Sequence, residues 1–166
     1  MSRKTTFYAE KRKRQQAAAL LPCADPSSIY RVMGRIQHFT PSELLTLSIP
    51  THSAFEALRT GFGTEHDFHT LAAVANTVLV CGEKIGKECV DAAKLAQKSL
   101  VLMLDRGVRL GKWGVDAGAL QNIPPVLDLH DQLLALYTPL QLQDAMREAV
   151  RRMKAGETLG VDDLEN

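Results

Sequence analysis

The chain has 166 residues, 45% of them hydrophobic and 23% charged, with a formal net charge of +1; this excludes a disordered or strongly polyionic chain and predicts one globular domain with short tails. No apolar run approaches the roughly 18 residues of a membrane span, since Leu71 to Cys81 is interrupted by Asn76 and Thr77. Arg3 and Lys4 have no apolar segment behind them, so no secretory signal is read there, and a cytoplasmic protein is expected.

The small net charge conceals an asymmetry. Residues 1–35 hold eight Lys/Arg against two acids, a balance of +6, while the rest of the chain holds twelve against seventeen. From Thr6 to about Leu21 the residues are strong helix formers, stopped at Pro22. We read 1–21 as a basic arm, partly helical or mobile, 22–156 as a single helical domain, and 157–166 as an acidic tail. Asp25-Pro26 fixes a helix start that carries Ile29, Val32, Met33 and Ile36 on one face and Arg31 and Arg35 on the other. Thr40-Pro-Ser-Glu43 is a capping box. The helix it opens is expected to break at Ile49-Pro50, with another from Thr51 to Thr60 that buries Ala54, Phe55 and Leu58 and stops at Gly61.

The longest patterned stretch runs from Thr64 to Gly111. Leu71, Val74, Val78, Cys81, Ile85, Cys89, Ala92, Ala96, Ser99 and Met103 recur at steps of three or four, which keeps one helix face inward. Lys84, Lys87, Asp91, Lys94 and Lys98 form the solvated face. Gly82 and Gly86 each cost about 1 kcal/mol against Ala in a helix interior, so the stretch is one long helix with a weak centre or two helices meeting there. The small residues Gly82/Gly86 and Ala92/Ala96, one turn apart, predict a close helix backbone belonging to the same chain or to a second copy, so a homodimer is possible. Cys81 and Cys89 lie about 12 Å apart on such a helix and are read, with Cys23, as reduced thiols.

Beyond Gly111, residues 117–121 read as one helical turn, and Asn122-Ile-Pro-Pro125 as the start of a further helix whose apolar positions Val126, Leu127, Leu129, Leu133, Leu134, Leu136 and Tyr137 cover more than half its circumference. Thr138-Pro-Leu-Gln141 is another capping box, opening a last helix with Leu140, Leu142, Ala145, Met146, Ala149, Val150 and Met153 inward. Strand and hairpin signals are absent. The expected fold is all-α, an irregular bundle of about six to eight helices around a long central helix or helix pair at 64–111.

No catalytic pattern is complete. Gly-x-Ser-x-Gly, His-Glu-x-x-His, Cys-x-x-Cys and phosphate-loop spacings are all missing, and Cys81 and Cys89 have no local histidine. His66 and His69 with Glu65 and Asp67, or His130 with Asp128 and Asp131, fall short of a ligand set, and acids in a first turn are what the helix dipole favours. The reading is a non-enzyme with no metal and no cofactor. The first functional expectation is a nucleic-acid-binding accessory or regulatory protein, in which Arg3, Lys4, Lys11, Arg12, Lys13, Arg14, Arg31 and Arg35 neutralise phosphates and Tyr8 stacks on a base. The alternative is a protein-binding adaptor or inhibitor that occludes a partner's surface, with Trp113 among Arg106, Arg109 and Lys112 as its anchor. The same cluster also fits a helix end with well-placed cations and a tryptophan that closes the bundle.

The run from Ala18 to Gln37, with Gly111-Lys-Trp-Gly114 and Ile123-Pro-Pro-Val-Leu-Asp-Leu129, resembles small all-helical proteins of bacterial plasmids, phages and integrated elements, some of them labelled transcriptional regulators. The resemblance implies an accessory role in a mobile genetic element, inhibition of a host defence complex included, and transfers no site residue.

Overall fold

Residues 37–157 are described by a computed structural model, and every regular element among them is an α-helix. Five follow in order: α1 (Pro41–Thr60), α2 (Glu65–Ile85), α3 (Lys87–Leu110), α4 (Ala117–Leu136) and α5 (Pro139–Lys154). All described residues belong to one compact unit. The expected helices before Gln37 and the boundary at 21/22 lie outside the described residues.

Side-chain caps start four of these helices. Thr40, Thr64 and Thr138 each accept from the backbone N–H three residues on, while Glu43, Asp67 and Gln141 reach back to the cap N–H at 2.8 to 2.9 Å. At α4, Asp116 Oδ1 accepts from Ala119 N–H at 2.7 Å. Each such cap removes an orphan donor and contributes about 1 kcal/mol. The α2–α3 junction has no side-chain cap: the chain turns through Gly86 alone, and Gly86 N–H donates to Gly82 O at 2.9 Å. Thr64–Gly111 is therefore two helices. Gly82 permits the turn, because a Cβ there would lie 3.0 Å from Cys89 Cβ.

Two expected breaks do not occur, which is why the described residues hold fewer helices than the prolines suggest. α1 continues through Pro50, and α4 continues through Pro124 and Pro125 from its start at Ala117. A proline inside a helix deprives the carbonyl four residues earlier of its donor. Those carbonyls belong to Thr46, Leu120 and Gln121, all exposed, where water replaces the lost partner. Buried Thr51, Ala54 and Leu58 hold α1 to the core beyond its proline, and Ile123, Val126 and Leu127 hold α4 around its pair.

The core is built from Leu58, Leu71, Val78, Met103, Val126 and Leu134, each essentially inaccessible to solvent. α2 packs against all four other helices, and α3 lies along it. Two interhelical amide contacts tie α3 on both sides: Gln97 Nε2 donates to Asn76 Oδ1 of α2 at 2.7 Å, and Asn122 Nδ2 of α4 donates to Ser99 Oγ at 3.0 Å. Paired in this way, the amides avoid the penalty of unsatisfied burial.

α5 is attached differently. Its one extensive contact among the described residues is with α2. Leu142, Ala145 and Ala149 are covered, whereas Met146, Val150 and Met153, expected inward, stand about half exposed because no further helix among the described residues packs on that flank. Ile85 and Leu136 are likewise exposed, each at the last residue of its helix, beyond the reach of the packed neighbours. Arg152 completes the attachment, with Nη1 and Nη2 on the two oxygens of Glu83 at 2.5 and 2.8 Å and Nε on Glu148 at 2.8 Å. No helix among the described residues is long and apolar enough to cross a membrane.

Candidate functional site

Arg3, Lys4, Tyr8, Lys11, Arg12, Lys13, Arg14, Arg31 and Arg35 lie outside the described residues. Within residues 37–157, twelve cations face fourteen acids. Seven of those cations, Arg59, Lys87, Arg106, Arg109, Arg147, Arg151 and Arg152, sit in ion pairs. The described body is mildly acidic, and its six guanidinium groups all sit in ion pairs.

Arg106, Lys112 and Trp113 meet at one end of the bundle, around a groove of about 580 Å³ lined also by Leu110, Val115 and the glycines of both adjacent turns. Arg109 does not line it; its guanidinium is on Asp105 at 2.7 Å, one turn back. The groove exists because two connections fold over the same helix ends. The α1–α2 turn supplies one wall. The α3–α4 loop supplies the other and is held to α1 by Val115 N–H donating to Leu58 O at 3.4 Å.

Trp113 is half-buried. Its ring lies on Gly107, where a Cβ would come within 2.6 Å of ring atoms, and stacks at a tilt on Phe68 with centroids 5.2 Å apart. It packs against the core at the bundle end and also lines the groove. Arg106 is a structural clasp: Nη2 is 3.1 Å from Asp116 Oδ2 and donates to Gly114 O at 3.4 Å, while the other Asp116 oxygen caps α4. Lys112 is exposed and makes no ion pair among the described residues. The three cations also stand by the last carbonyls of α3, where the helix dipole favours positive charge.

Phe62 is the residue that sequence reading missed. It follows Gly61, which takes the left-handed conformation at φ 82° and ends α1. Gly61 N–H donates to Leu58 O and Phe62 N–H to Ala57 O, the paired bonds of a Schellman motif. That motif commonly tucks an apolar residue at this position against the helix. Here Phe62 is 84% exposed, between the two groove-lining glycines Gly61 and Gly63. The signal in the sequence was an aromatic side chain between two glycines, which reads equally well as a hinge.

Other titratable groups have local partners or are buried. His69 is 3.4 Å from Glu65, and Thr64 holds the Asp67 carboxyl below its usual range through two hydrogen bonds. His130 is buried between α4 and its neighbours. Desolvation keeps its pKa below the ordinary 6.5 despite Asp131, whose other oxygen is 2.9 Å from His52 Nε2 on α1. Among the described residues no three His, Cys, Asp or Glu side chains converge into a metal-binding group. Cys81 is buried, and desolvation pushes its thiol up, away from the thiolate that a nucleophile needs. The fold and this end define an all-α bundle with a groove of mixed apolar and cationic lining. No protein-family model, curated protein or solved structure matches the chain.

Proposed function

We propose that this chain is a protein-binding helical module, an adaptor or an inhibitor that acts by occluding a partner's surface, and that the Phe62 end is its contact face. One observation carries the reading: Phe62 stands in solvent at a turn whose geometry ordinarily covers such a side chain. Aromatic side chains beside cations dominate the energetics of protein interfaces. Phe62 and Leu110 supply apolar anchors, Trp113, seated against Gly107, an aromatic lining, and Lys112 a charge unpaired among the described residues that suits an acid-flanked apolar surface on the partner. The test is affinity purification from a nuclease-treated lysate with wild type and Phe62→Ser. One stoichiometric protein that is retained by wild type and lost by a normally folded Phe62→Ser supports the reading. A partner held equally by both forms, or an eluate of nucleic acid alone, overturns it.

A second reading rests on the +6 balance of residues 1–35. In it the chain is a nucleic-acid-binding accessory protein of a mobile genetic element, with Lys11 to Arg14 on the phosphate backbone. It requires binding that falls steeply with salt and drops when those four residues are neutralised. Binding that stays unchanged in that variant removes it.

A further inference from the structure

A second apolar surface lies on the side of the bundle, between α3 and α5, with α2 as its floor. Two cavities of about 230 Å³ each adjoin there and share His69, Ala72, Asn76 and Met153. One is walled by Leu100, Val101 and Leu104 of α3, the other by Met146, Ala149 and Val150 of α5. Met153, 53% exposed, is the partition between them. The floor carries small residues, Ala72 and Ala73, which let a helix backbone approach closely. The partition is a thioether side chain that adapts its shape at little cost.

Exposed lysines flank the groove on both sides. On α3, Lys94 and Lys98 precede Val101 by seven and three residues and so share its face, with Lys94 also in electrostatic reach of Glu83; on α5, Lys154 follows Val150 by one turn. None of the three makes an ion pair among the described residues, in a body that pairs most of its cations and is acidic as a whole. From Gln97 to Leu104 the groove runs about 10 Å, or two helical turns.

We infer that this groove binds an acidic amphipathic helix of a partner protein. Apolar side chains spaced i, i+4 and i+7 enter the two chambers on either side of Met153, and flanking carboxylates meet Lys94, Lys98 and Lys154. The inference is independent of the Phe62 face.

The probe is a synthetic helical peptide of about 16 residues, rich in Ala and Glu, with leucines at i, i+4 and i+7. It is titrated calorimetrically into the full chain alongside a control peptide with Lys in place of Glu. Saturable one-to-one binding of the acidic peptide is expected. It should weaken about tenfold in Met153→Glu and in the double variant Lys94→Glu/Lys98→Glu, and stay unchanged in Phe62→Ser. The substituted side chains are exposed, so helix content and melting temperature check that each variant is folded. Absence of saturable binding, equal binding of the Lys peptide, or indifference to Met153→Glu overturns the inference. Self-association of wild type that Met153→Glu abolishes also overturns it, by giving the groove to a second copy.

Discussion

α2 and α5 are both capped by a threonine box and both carry an apolar stripe, yet they are held in opposite ways. α2 touches every other helix and is stabilised by apolar burial around most of its circumference; α5 touches α2 along one narrow line and relies on Arg152 to fasten its end. The difference separates the part of the molecule that sets the fold from the part left open for interaction. A helix surrounded by others buries most of its large apolar side chains, with Ile85 at the end of α2 the exception. A helix docked on one side leaves Met146, Val150 and Met153 unclaimed.

The largest effect should come from the α2 side. Leu71→Ala empties a fully buried site and is expected to cost about 2–5 kcal/mol in the global transition, read by denaturant melts. If the cost were under about 0.5 kcal/mol, the difference between the two helices would collapse. Gly107→Ala places a methyl group against the Trp113 ring and should cost about 1–3 kcal/mol, with a change in tryptophan fluorescence as the loop shifts. Arg152→Ala, at the α5 side, should lower global stability by at most about 1 kcal/mol, because its ion pairs are largely solvated. It should instead speed hydrogen exchange selectively in α5, and uniform acceleration in all five helices would contradict a locally fastened helix.

Acid should reveal the same contrast more gently. Arg152 and Arg151 hold the Glu148 carboxyl down to about 2, and Arg152 also holds Glu83 below its ordinary 4.5. Carboxylates depressed in the folded state stabilise it fully above their unfolded values and lose that contribution as pH falls through the folded ones. The α5 fastening should therefore weaken from about pH 4.5 down towards 2. His130, also depressed by folding, makes an earlier loss: its neutral, buried state is fully stabilising above 6.5 and is progressively penalised below that. Hydrogen exchange resolved by helix across pH 7 to 3 separates the two, and His130→Gln should flatten only the upper part. The smallest expected effect is that of Phe62→Ser on stability, within about 0.5 kcal/mol, since that side chain covers almost nothing.

Much of this was legible from residue order. Thr40 and Thr138 announced their helices because a cap is a local arrangement of four residues, and local chemistry survives folding. Leu71, Val74, Val78 and Cys81 were readable as core because many neighbours surround α2 and no alternative face competes. Pro50, Pro124 and Pro125 misled because their cost depends on whether the freed carbonyl faces water and whether packing resumes on either side, which is tertiary information. The α5 stripe misled for a related reason: periodicity shows which residues share a face and says nothing about how much of that face a neighbour covers. Trp113 was legible as a bundle closure or as an anchor, and the choice turned on Gly107, six residues earlier in sequence.

The single-residue elbow at Gly86 also bears on how quickly the chain finds its fold. Helices joined so tightly meet through contacts of short sequence separation, so α2 and α3 close a small loop and lose little chain entropy in pairing. That pairing is expected to form the folding nucleus, with α5 arriving late. Substitutions at the elbow-proximal interface, such as Val78→Ala, should slow refolding, whereas Ala149→Gly in α5 should chiefly accelerate unfolding. Stopped-flow chevrons that reversed this pattern would place the nucleus elsewhere. The junction whose glycines looked like a weak centre in a long helix is, in kinetic terms, where assembly of the bundle is expected to begin.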